Sequence, residues 1–232
     1  TDRKSRCQSR DADHIIHSSK RNTFLVEIKR DGSLVVRVPE GSSVEATQKA
    51  IDSKMRWILK QRAEIYKIDI SDRPKKFADG EKFLYLGVVY PLSVDGSCGA
   101  QLIFDGEKFV LSQELQSQAR DIFVDWYREH AERHISEKVR QYSAQYKISY
   151  DKIIITNAER RWGSCNTKGI LRFSWRLAMA PQDIIDYVII HELMHIKHMN
   201  HSRAYWQEVI AAMPDFKLRK RWLYRHGNRL VL

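Results

Sequence analysis

The stretch Ile184-Ile185-Asp186-Tyr187-Val188-Ile189-Ile190-His191-Glu192-Leu193-Met194-His195-Ile196-Lys197 sets an HExxH pentad inside a long apolar run. A segment this apolar all round reads as a buried helix, and Pro181 sits where it would open the first turn. On a helix, His191 and His195 share one face about one turn, or roughly 6 Å, apart. Two imidazoles so placed can hold one zinc ion, and Glu192, one step round, can take a proton from an activated water. Charged and polar groups on a buried helix are costly unless something compensates them. A core helix with merely hydrogen-bonded histidines would still leave a buried Glu192 unexplained.

A catalytic zinc needs a third protein ligand and an open position. His198 lies on the same face as His195 but about 4.5 Å further along the axis, beyond the metal. Glu208 is the acidic alternative. His201 would point some ~120° off the ligand face in a continuing helix, so it binds only if the chain turns after Lys197 or His198. Asn200 suits such a turn, and a new helical pattern begins at Ser202 and continues through Tyr205, Trp206, Val209 and Ile210. The geometry favours His201. The spacing His-x3-His-x5-His also occurs in metzincins, but those carry Gly where this chain has His198.

Several blocks together resemble the YgjP-like metallopeptidase domain family, a zincin-like group related to the SprT-like and WLM-type metallopeptidases. They are the pentad, Asn200-His201-Ser202, Tyr205-Trp206, Arg161-Trp162-Gly163-Ser164-Cys165, Gly169-Ile170, Leu177, Trp57-Ile58 and Tyr85-Leu86-Gly87. The similarity runs from about Asn22 to Trp222. It implies His191, His195 and His201 as metal ligands, Zn2+ as cofactor, Glu192 as the catalytic residue and a peptide or protein as substrate. Met194 stands where many relatives carry a smaller residue, which should alter packing rather than ligation.

The implied fold class is α+β. An antiparallel, β-rich N-terminal part is followed by a zincin-like C-terminal part made of a long helix, a three-stranded sheet, the HExxH helix and two further helices. The expected divisions are a loosely held segment 1–18, a β-rich subdomain with one helix over 19–112, and a catalytic subdomain over 113–232. Strand-like runs Thr23–Ile28 and Leu34–Val38 flank Asp31-Gly32, a hairpin signal. Ser42 to Glu45 reads as a capping box opening a helix to about Tyr66, with Val44, Ile51, Met55, Ile58 and Leu59 as its apolar stripe. Lys82–Leu86, Val88–Leu92, Ala100–Phe104 and Lys108–Leu111 read as an antiparallel meander. From Glu114 to Tyr146 the period is helical, as one helix or two joined near His130. His130 and His134 lack a companion Glu and read as helix-surface residues.

Lys152–Thr156, Arg160–Cys165 and Gly169–Ser174 read as strands, the last two forming a hairpin, and Met213-Pro214-Asp215 separates two final helices. In zincin-like proteins an edge strand lines the cleft, and by resemblance the Arg161–Cys165 hairpin supplies it. Trp162 reads equally well as a cleft wall or as a core residue, and Gly163 would let a backbone approach closely.

Composition narrows the class. With 43% hydrophobic and 30% charged residues the chain reads as globular. It has no apolar run of roughly 18 residues, so no membrane partner is expected. The start, Thr1 to Arg6, lacks the apolar core of a signal peptide. Three cysteines, Cys7, Cys98 and Cys165, show no paired spacing, which suits a reducing, cytoplasmic location. The net charge of +11 suits an anionic partner such as nucleic acid or a nucleotide. Two further readings therefore stand beside the metallopeptidase: a metal-dependent hydrolase of nucleotides or other phosphate-containing substrates, and a nucleic-acid-associated SprT-like protease. Lys217, Lys220, Arg221 and Arg225 fall broadly along one helix face, read as a solvated face.

Overall fold

Val26, Leu34, Val36 and Val38 alternate toward one sheet face, and Ile51 and Ile58 cover it from a helix. This alternation builds strands β1 (His14–Ser18), β2 (Leu25–Ile28) and β3 (Leu34–Pro39), with helix α1 (Val44–Ile65). The computed structural model describes residues 14–19, 22–28, 34–65, 75–96 and 102–232, with the side chains of 56 and 59–65 left aside. In the sheet order β1-β3-β2, β2 pairs antiparallel with β3 and β1 pairs parallel with it. The segment read as loosely held thus contains a strand from His14 onward, held because its backbone groups pair with the free edge of β3. Residues 1–13, the Asp31-Gly32 turn and the Leu59 side chain lie outside the described residues. The α1 cap is shifted by one residue from the sequence reading: Ser43 Oγ accepts from the Ala46 N–H, while Ser42 turns back to the Pro39 carbonyl. Val44 is exposed rather than part of the stripe.

The chain packs as two compact units, Thr1–Asp69 and Ile70–Leu232. The sequence reading instead divides the chain after residue 112. The strands β4 (Lys82–Tyr85), β5 (Val88–Asp95), β6 (Ile103–Phe104) and β7 (Phe109–Ser112) belong with the C-terminal helices. The reason is an aromatic core. Phe83 stacks on Phe123 at 4.3 Å and Phe109 meets Trp126 at 4.9 Å, so the sheet buries its face on helix α2 (Ala119–Tyr146). The Tyr127 hydroxyl donates to the Leu84 carbonyl across the same interface. The sheet is not a meander either. Its order is β4-β5-β7-β6, with β7 parallel to β5, because β7 inserts between β5 and β6. A 3-10 turn, Gln113–Gln118, leads into α2, which runs unbroken past His130.

Strands β8 (Lys152–Thr156), β9 (Gly163–Cys165) and β10 (Ile170–Ser174) form a third sheet in the order β8-β10-β9. β10 is parallel to β8 and antiparallel to β9, which leaves β9 at the edge. A 3-10 segment, Trp175–Met179, then leads to helix α3 (Gln182–Lys197), followed by α4 (Arg203–Ala212) and α5 (Phe216–His226). The Leu86-Gly87 turn docks where α3 begins: Leu86 N–H donates to Ala178 O and Gly87 N–H to Met179 O. Gly87, at φ +80°, lies so close to Pro181 that a Cβ there would stand 2.7 Å from its Cα.

α3 is buried nearly all round, as its apolar run requires. Two of its three buried acids are tied to the flanking helices, Asp186 to Lys138 of α2 at 3.7 Å and Asp183 to Arg219 of α5 at 3.9 Å. The architecture is α+β, and no helix among the described residues is long and apolar enough to cross a membrane.

Candidate metal centre and active site

Helix α3 carries His191 and His195 one turn apart, with ring centroids 4.9 Å from each other. It makes its last helical bond from His198 N–H to Met194 O, and His198 is extended at φ −139°, ψ 102°. The chain turns there and returns His201 to the helix face. His201 Nε2 lies 3.3 Å from His191 Nε2, and its ring centroid lies 4.6 Å from that of His195. Ser202 Oγ then caps α4 by accepting from the Tyr205 N–H. The turn required by the sequence reading is present, between Lys197 and His201.

Ligand atoms of His191, His195 and His201 all lie within 4.8 Å of one another, and this is the one such cluster among the described residues. Nitrogens bound tetrahedrally at the usual zinc distance stand about 3.3 Å apart, which is the separation of the His191 and His201 Nε2 atoms. The opposite ring nitrogens of the helix pair are already engaged. His195 Nδ1 lies 3.0 Å from the His198 carbonyl, and His191 Nδ1 lies 2.6 Å from the Tyr205 hydroxyl. That hydroxyl donates to the His191 carbonyl at 3.1 Å, so its oxygen is left to accept from Nδ1–H. Both rings are thereby held in the tautomer that presents Nε2 to a metal. Burial, then the neighbouring His195, His201 and Lys220, pushes His191 down to about 3, so its imidazole stays neutral and can act as a ligand. Burial, His195 and Lys220 also lower His201. The donor set fits a zinc ion.

Glu192 is 5% exposed. Edge strand β9 lies directly on it: a Cβ at Gly163 would stand 2.6 Å from Glu192 Oε1. Burial pushes the carboxyl up to about 8, opposed by the charge of Arg161. Burial and the Glu192 charge likewise push the Cys165 thiol up to about 11 and Tyr187 up to about 12.

Other sequence candidates are placed elsewhere. Glu208 pairs with Lys197 at 3.2 Å, away from the ligand trio. His198 contributes its carbonyl to His195. Tyr205 uses its hydroxyl on His191 and stacks its fully buried ring on His195 at 4.6 Å. Trp162 is half-buried against Gly227, where a Cβ would meet its ring at 2.8 Å. His130 and His134 are not plain surface residues. His130 stacks on Trp126 at 3.6 Å, and the His134 Nε2 atom is buried without a hydrogen-bond partner among the described residues.

Two contacts escaped the sequence reading: the Tyr205 hydroxyl on His191, and Lys220 over the Trp206 ring at 5.0 Å, with Trp206 stacked on His201 at 5.5 Å. The aromatic pair immediately after the ligand turn was the available signal, but its target depends on how α3 and α4 cross.

No curated protein matches the sequence. A solved structure that is similar is the metallopeptidase zymogen of Pyrococcus abyssi abylysin. It is 19% identical, with a TM-score of 0.31, and the match covers 47% of this chain and 99% of that one. The sequence matches the description "YgjP-like, metallopeptidase domain" over residues 22–226, nearly its whole length. The chain belongs to the YgjP-like metallopeptidase domain family.

Proposed function

We propose that the protein is a zinc-dependent peptidase in which His191, His195 and His201 hold the metal and Glu192 moves the proton. The observation that carries this reading is the convergence of three imidazoles on one point, with a buried carboxylate on the next residue of the same helix. Held by three imidazoles, a zinc ion supplies Lewis acidity that makes water acidic near neutral pH and polarises a carbonyl. In this reading Glu192 takes a proton from the attacking water. As the water oxygen bonds to the carbonyl carbon and the C–N bond breaks, Glu192 returns that proton to the leaving amine. Strand β9, at the sheet edge, offers backbone groups along which an extended substrate can lie, and Gly163 keeps that track free of side-chain bulk beside Glu192.

The test is Glu192→Gln. It should retain zinc at one equivalent while peptide hydrolysis falls by about 10²–10⁴-fold, the usual worth of a general base. Zinc content follows from elemental analysis and cleavage from mass spectrometry of a peptide library. Full activity in the variant would remove Glu192 from the chemistry. Hydrolysis of nucleoside triphosphates but of no peptide would overturn the peptidase reading.

A further inference from the structure

Helix α5 forms a wall beside the metal centre. At its first turn Phe216 stacks on Trp206 at 5.1 Å, and Trp206 stacks in turn on His201. Just past its last turn Gly227 presses against Trp162, next to the β9 strand that touches Glu192. Lys220, one turn after Phe216, shares its face and holds its ammonium 5.0 Å from the Trp206 ring centroid. Arg161 is exposed and immediately precedes Trp162, the residue that Gly227 presses against. Lys220 and Gly227 are separated by about 10 Å of helix rise, close to the length of three extended residues.

Both cations are exposed, and neither has an ion-pair partner among the described residues. Two other cations of these elements are paired: Arg219 is bound to Asp215 at 3.0 Å and lies near Asp183, and Lys197 is bound to Glu208. The Lys220 charge stands over the ring that stacks on His201.

We propose that Lys220 and Arg161 are specificity-determining residues that select peptides bearing a carboxylate beside the scissile bond. This rests on the peptidase reading above. Unpaired cations along one wall of a cleft attract an anionic ligand and gain most when a carboxylate docks against them. The carboxylate has two sources, an acidic side chain within the substrate or the free C-terminus of a short peptide.

The test compares kcat/KM on matched peptides with the zinc-loaded full chain. One arm uses end-blocked peptides with Glu or Gln flanking the cleaved bond. The other uses neutral peptides with a free or an amidated C-terminus. The wild type should prefer the carboxylate in one arm by about tenfold or more, the worth of a charge-assisted hydrogen bond, and that arm identifies the source. Lys220→Met and Arg161→Gln should each shrink the ratio, and Lys220→Glu should turn the preference toward Lys-containing peptides. Lys217→Met, an exposed charge on the same helix, should keep the wild-type ratio. Equal rates on charged and neutral peptides, or the same loss of preference in Lys217→Met, would overturn the proposal while leaving the peptidase reading intact. A wild type that cuts none of the peptides overturns the peptidase reading itself. The readout is a ratio within each variant, so partial loss of folded protein cancels.

Discussion

At the scale of single residues, Tyr205 links ligand geometry to the rest of the fold. Its hydroxyl bridges the Nδ1 and carbonyl of His191, and its ring lies against His195, so one buried side chain orients both proposed helix ligands. Partners of this kind are worth about 10–100-fold in metal affinity. Tyr205→Phe keeps the ring and removes the bridge. It should weaken zinc binding by about that factor, measured by competition with a chromophoric chelator. The stability of the metal-free protein should drop by only about 1 kcal/mol, the net worth of a hydrogen bond. A loss of stability with unchanged zinc affinity would make Tyr205 a packing residue only. The sequence showed Tyr205 as a polar aromatic in the first turn of a helix. It did not show that the hydroxyl faces His191 rather than the substrate, because that depends on the crossing of two helices.

At the scale of elements, the pairing of α3 with β9 decides whether Glu192 is usable. The two lie so close that Gly163→Ala would put a methyl group 2.6 Å from Glu192 Oε1 and 2.7 Å from its Cγ, so the carboxylate must move. A displacement of about 1 Å can cost on the order of 10² in rate. The variant should therefore lose kcat on that order, with zinc content unchanged by elemental analysis. An alanine variant with wild-type kcat would show that Glu192 tolerates the shift. The existence of α3, its burial and its end near His198 were legible from one apolar run, an i, i+4 histidine pair and a polar turn. The β9–β10 hairpin was legible from its turn residues. The parallel pairing of β7 with β5 was not, since strand patterns carry no information on neighbour order. The choice of Ser43 over Ser42 as the α1 cap rests on a one-residue difference in where the helix starts, and both residues are equally good caps.

At the scale of the whole molecule, acid should unfold the protein partly through His134. Burial, with help from Lys138 and against the pull of Glu137, lowers this residue from 6.5 to about 4. The unfolded chain then takes up the proton first. The stability contributed by neutral His134 is fully present above pH 6.5 and is lost as pH falls toward 4, by up to about 3 kcal/mol. His134→Gln should flatten that part of the acid limb in urea unfolding measured between pH 7 and pH 4; an unchanged slope would mean that His134 reaches solvent when protonated. The boundary between units also belongs to this scale. The sequence reading grouped the second set of strands with the first, in one β-rich span over 19–112. In the structure, Phe83 and Phe109 bury themselves on Phe123 and Trp126, so those strands belong with the helices that carry the site. By itself the sequence determined the α+β class, the helix that carries the pentad, the three histidines and the turn that gathers them, because periodicity and i, i+4 spacing are local and survive in a string of letters. Only the tertiary structure decided that Tyr205 orients His191, that Gly163 lies on Glu192 and that Lys220 stands over Trp206, the ring stacked on His201. Each of those contacts joins separate elements, and the packing angles between elements are set by the whole core rather than by any one segment.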